Sequence, residues 1–168
     1  MTTSPVAELR KKTDAAWADL TRQLQGMEPH MERSDAPGEW TTRQVVAHLL
    51  FEDGWKPVPV LSSFARHDLP VIEIKLGLAE VTPEPQKTTL KEFIDALDVQ
   101  RHAVFGYLEE LSDADLQRKA RIPLFKQFMG TDEIAIPVYV GAMFAYHWSD
   151  HAGQLAKIRK AVGLPEAK

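Results

Sequence analysis

The stretch Tyr146-His147-Trp148-Ser149-Asp150-His151-Ala152-Gly153-Gln154-Leu155 decides how this chain is read. His147 and His151 stand four residues apart in a segment of helical character. On a helix that spacing stacks two side chains on one face, about 5–6 Å apart at Cβ. Val140, Phe144, His147, His151, Leu155, Ile158 and Val162 follow the three-and-four rhythm of a buried stripe. Both histidines therefore take places that the pattern reserves for apolar residues. A buried ring with no partner loses its hydration, so the placement asks for a hydrogen bond or a ligand. Two imidazoles on one face can share a metal ion.

Working outward, Pro137 enters this last helix, and Gly163 and Pro165 end it. A third inward histidine lies far upstream, in Trp40-Thr41-Thr42-Arg43-Gln44-Val45-Val46-Ala47-His48-Leu49-Leu50-Phe51-Glu52-Asp53. A threonine N-cap follows Trp40, which can pack back as a staple. Val45, His48, Leu49 and Glu52 share one face, so a histidine and a carboxylate stand one turn apart. Three neutral imidazoles make a first shell for a divalent metal with positions left open. Zinc or nickel leads among the metals; iron or manganese also accepts nitrogen donors.

The other elements follow from the same signals. Ser4-Pro5 opens a first helix with the stripe Val6, Leu9, Ala16, Leu20 and Leu24, and Gly26 stops it. Residues 27–39 read as a loop that leaves His30 solvated. Pro57 and Pro59 break or kink the second helix, which resumes briefly over residues 60–64. Thr89-Leu90-Lys91-Glu92 is a capping box for a third helix with Phe93, Leu97, Val104, Leu108 and Leu111 inward. Ser112 caps one short turn. Segments 67–88 and 118–135 read as irregular, with Phe125, Phe128 and Met129 as packing groups in the second. Four amphipathic helices with two substantial crossovers define an all-α four-helix bundle.

Composition sets outer bounds. A chain of 168 residues fills one core, so residues 1–168 are expected to form a single domain. A net charge of −4 argues against nucleic-acid or anionic-membrane surfaces. The chain has no cysteine, which removes thiolate ligands, disulfides and a cysteine nucleophile. No apolar run approaches the ~20 residues of a membrane span, and no apolar leader core stands at the N-terminus. A cytoplasmic protein is expected.

The pattern Trp40-Thr41, Val45-Val46, His48-Leu49 and Glu52, followed by His147, His151 and Gly153-Gln154, resembles the DinB/YfiT-like superfamily. The helix lengths, the late histidine pair and the Gly163-Leu164-Pro165 ending agree with that resemblance. It implies a DinB-like four-helix bundle, often a homodimer, with a metal on three histidines or on two histidines and a carboxylate. Carried over to this chain, the ligands are His48, His147 and His151. Some relatives are thiol-dependent transferases or isomerases, so the resemblance implies a small-molecule thiol, such as bacillithiol, mycothiol or glutathione, and an electrophilic substrate. A metal-activated water, and hence a hydrolase, fits the same ligand set.

Beside the three ligands, Glu52 is the candidate acid or base, with a ligand or a solvated residue as its other readings. Gln154 can orient a ring or a bound water, or hydrogen-bond across the bundle. Asp150 is read as solvent-facing, and Tyr146 and Trp148 as packing or interface residues. His102, on the third helix, is read as a surface residue. Two rival readings stand: a metal that only closes the bundle core, and a metal-free interaction module whose histidines are hydrogen-bonded.

Overall fold

The computed structural model describes residues 3–50, 56–66, 68–74 and 86–168. Helix α1 runs Pro5–Leu24, with Ser4 at its N-cap and Pro5 in the first turn. Val6, Leu9, Ala16, Leu20 and Leu24 are all buried. Gly26, at φ +76°, turns the chain away from the helix end. Helix α2 (Thr42–Leu49) begins at a full capping box: the Thr41 hydroxyl accepts from the Gln44 amide, and Gln44 Oε1 accepts from the Thr41 amide. The described part of this helix ends at Leu49, with Leu50 at its C-cap, and residues 51–53 of the expected span lie outside the described residues.

Helix α3 spans Pro57–Arg66. The prolines expected to interrupt a helix stand at the start of this one. Both lie in its first turn, where the missing N–H groups would have no intrahelical acceptor. Helix α4 (Leu90–Glu109) has the expected Thr89–Glu92 capping box. Glu28, from the loop after α1, also accepts the Leu90 amide at 2.8 Å. Ser112 caps the short α5 (Asp113–Leu116), as its sequence indicates.

Residues expected to be irregular contain a small antiparallel ribbon. Strand β1 (Lys119–Arg121) pairs with β2 (Glu133–Ala135), in the register Lys119↔Ala135, Ala120↔Ile134 and Arg121↔Glu133. Ala120 and Ile134 point inward and are buried. The crossover chain docks on the ribbon: the Arg121 amide donates to Pro70, and the Ile72 amide to Arg121. Helix α6 (Lys126–Met129) lies within the hairpin. Phe125 is buried, but Phe128 is 70% exposed and Met129 45% exposed, so neither is the packing group expected.

The last helical rod has three parts: α7 (Ile136–Val140), a π-helical turn (Gly141–Tyr146) and α8 (His147–Ala161). Four helices close a ring of neighbours, in which α1 packs on α4 and on the last rod, and α2 packs on the same two. The core they enclose includes Leu20, Phe93, Leu97, Phe105, Phe144 and Trp148. Trp148 meets Trp17 at 5.4 Å and Phe144 at 5.5 Å between ring centroids. The fold is an all-α four-helix bundle with a small ribbon attached. Among the described residues, no helix is long and apolar enough to cross a membrane.

Candidate metal centre

The bundle brings His48 from α2 against His147 and His151 at the start of α8. His147 Nε2 lies 2.9 Å from His48 Nε2 and 3.0 Å from His151 Nε2. Ligand atoms of all three rings lie within 4.8 Å of one another. Nitrogens that share a metal at about 2.1 Å sit about 3.0–3.4 Å apart, and the two contacts to His147 lie at or just under that range. His151 is buried, and His48 and His147 are half-buried. The three residues read from sequence as ligands are therefore brought together.

Electrostatics keep the rings neutral. Burial first, and then the charge of His151, pushes His48 down to about 4. Burial, then His151 and His48, pushes His147 down to about 3, with the Met143 backbone partly opposing them. Burial also lowers His151, against a hydrogen bond to Gln154 and the charge of Asp150. Neutral imidazole is the form that offers a lone pair.

Gln154 decides which nitrogen of His151 offers it. Its Oε1 stands 2.7 Å from His151 Nδ1 and accepts that proton, leaving Nε2 as the lone-pair atom facing the other two rings. The orienting role read for Gln154 is what the geometry shows.

The rod has a feature that the sequence pattern hides. In the π-helical turn the His147 amide donates to Ala142, five residues back, as well as to Phe144. Buried positions up to and within the turn are Ile136, Tyr139, Val140, Met143 and Phe144; after it they are Trp148, His151, Ala152, Leu155, Ile158 and Arg159. On an uninterrupted α-helix these two faces would differ by about 100°, one residue's rotation. The wider turn absorbs that step. The single stripe expected from Val140 to Val162 is thus two stripes, and His151 lies on the second with His147 one turn before it.

Other sequence readings find these places. Asp150 is exposed; Trp148 packs in the core, whereas Tyr146 is 74% exposed. His102 lies on the surface, its Nδ1 2.8 Å from the Asp98 carbonyl, and takes no part in the cluster. His30 is half-buried rather than fully solvated. Glu52, the candidate acid or base, lies outside the described residues. Trp40 shows more than a helix staple. Its ring meets His48 edge-on at 4.9 Å and stacks on His151 at 6.1 Å with planes 8° apart. Its place beside the Thr41 cap hints at the first contact, and nothing in the sequence signals the second.

A helical bundle with three converging imidazoles between facing helices defines a class of candidate metal-binding proteins. The chain matches the DinB superfamily over residues 5–155, and it belongs to that superfamily. Its fold is similar to that of YfiT from Bacillus subtilis, with a TM-score of 0.75 and 15% identity, over 98% of this chain and 91% of that one. YfiT is described as a probable metal-dependent hydrolase with an unusual four-helix bundle topology. At that identity the likeness speaks for the fold alone. No curated protein matches the chain.

Proposed function

We propose that this protein is a metal-dependent hydrolase whose divalent ion is held by His48, His147 and His151. The observation that carries the reading is the convergence of three Nε2 atoms, with His147 Nε2 2.9 and 3.0 Å from the other two. The description of YfiT as a probable metal-dependent hydrolase supports the choice of reaction. A bound divalent metal supplies Lewis acidity, which makes water or a thiol nucleophilic at neutral pH. The chain's own part is to keep three rings neutral, to fix His151 through Gln154 and to leave further coordination positions open. Glu52 follows His48 by four residues in the sequence and is the proposed acid or base. Zinc or nickel suits an all-nitrogen donor set best.

A small thiol in place of water would make the same centre a transferase or isomerase acting on an electrophile. The absence of cysteine fits that variant, because the thiol would have to come from outside the chain. Homodimerisation, expected from the resemblance, belongs to the proposal and is read by sedimentation.

The test begins with metal content by mass spectrometry on tag-free protein, with His48→Ala and His151→Ala beside it. Near-stoichiometric metal in the wild type, lost in both variants, is the expected result. Ester, amide and thiol–electrophile substrates are then screened with and without chelator. A wild type that neither carries metal nor takes it up on reconstitution refutes the reading.

A further inference from the structure

The three imidazoles are long enough to swing out of register, since each turns about two side-chain bonds. Gln154 holds one edge of His151 at 2.7 Å. The faces of the rings need a different restraint, and one aromatic side chain touches two of them. Trp40 lies parallel to His151, with ring planes 8° apart and centroids 6.1 Å apart, an offset stack. The same indole meets His48 at 4.9 Å with ring planes 69° apart. It therefore bridges ligands from two helices that are more than a hundred residues apart in sequence.

Trp40 is itself firmly placed. The next residue, Thr41, is the N-cap of α2 and exchanges two hydrogen bonds with Gln44. The Thr42 amide donates to Arg33 at 3.0 Å and the Arg43 amide to Met31 at 2.8 Å, tying the start of α2 to the preceding loop. An anchored indole is a rigid surface for the two rings to rest against.

We propose that Trp40 is a positioning residue for this site, holding His48 and His151 with their Nε2 atoms turned toward His147; this rests on the metal reading above. Zinc is the probe. Trp40→Ala is expected to weaken zinc binding by about 10–100-fold, the range for partners that orient ligands without touching the ion. Trp40→Phe keeps an aromatic face and is expected to stay within about threefold of the wild type. In the cobalt(II)-loaded protein, Trp40→Ala shifts the visible absorption bands, a signature of ligand geometry that a general loss of stability does not move.

Zinc titration followed by tryptophan emission supplies a test that needs only the conservative variant. The wild type changes its emission on binding, and Trp40→Phe loses most of that change. Wild-type zinc affinity and an unchanged cobalt spectrum in Trp40→Ala overturn the proposal. If Trp40→Ala does not fold, an undiminished emission change in Trp40→Phe overturns it instead. A wild type that takes up no zinc fails the metal reading itself and is told apart by that result.

Discussion

Helix α8 buries polar groups at two places, and the two are completed in different ways. At its far end Arg159 is buried, and its Nη groups donate to the carbonyls of Gln23, Gln25 and Pro165. One guanidinium thus ties the end of α1 to the C-terminal segment, and the chain itself supplies the acceptors. At the near end three imidazoles bring their Nε2 atoms together, with those of His48 and His151 2.9 and 3.0 Å from His147 Nε2. Which ring nitrogen donates and which accepts there turns on the tautomers, whereas a guanidinium and carbonyls have fixed roles. The first arrangement finishes a fold. In the function proposed above the second holds a cation from outside the chain, which sets a structural polar group beside a proposed functional one.

The sharpest way to break this contrast is to remove one ring. His151→Ala is expected to lower zinc content from about one per chain to under about a tenth. It also removes the stabilisation that zinc gives the wild type, about 4 kcal/mol when free zinc is 1,000 times its Kd. Thermal melts with and without zinc measure it. Unchanged zinc content in the variant would place the ion elsewhere. Arg159→Met tests the other end: unfolding free energy from urea denaturation should fall by roughly 2–3 kcal/mol, as carbonyls lose a charged donor. Its zinc affinity should stay within about twofold of the wild type, because the two ends are independent.

Next comes Gln154→Leu. It removes the acceptor on His151 Nδ1 and is expected to weaken zinc about 10-fold, at the low end for such partners, read by competition titration. Acid sharpens the contrast from another side. The ordinary histidine value of 6.5 describes the unfolded chain, whereas the fold holds His48 near 4 and His147 near 3. Through that window the unfolded chain takes up protons that the folded site refuses. Stability of the metal-free protein is therefore full above pH 6.5 and declines as the pH falls toward 4 and then 3. Urea midpoints measured between about pH 7 and pH 4 should move down steadily, and a flat profile would show that the rings are not buried.

Much of this molecule is legible in its sequence because its signals are local. Stripes and caps mark α1 and α4, and Ser112 marks its short turn. All three clustered histidines were visible as polar residues at apolar positions. What stayed hidden depends on contacts between distant segments. Strands β1 and β2 have three residues each, too few for an alternation to stand out; they pair with each other, and the crossover at Pro70 to Ile72 docks on Arg121 of β1. Arg159 looks like a surface cation near a helix end, and only the arrival of α1 and the tail makes it a clamp. Pro57 and Pro59 mark a break in their sequence, but not that a ten-residue helix begins on them. The face of Trp40 on His151 belongs to the tertiary structure alone.

The wider turn at Gly141–Tyr146 makes the last rod two helices spliced with a phase step. One half keeps time with Ile136 and Val140, the other with Leu155 and Arg159, and the histidine pair belongs to the second clock. Shortening the splice by one residue would let it relax into a regular helix, with both halves still facing as they do. The same loss anywhere within residues 148–150 would turn His151 by about 100° relative to His147. Chain length is negotiable on one side of His147 and fixed on the other.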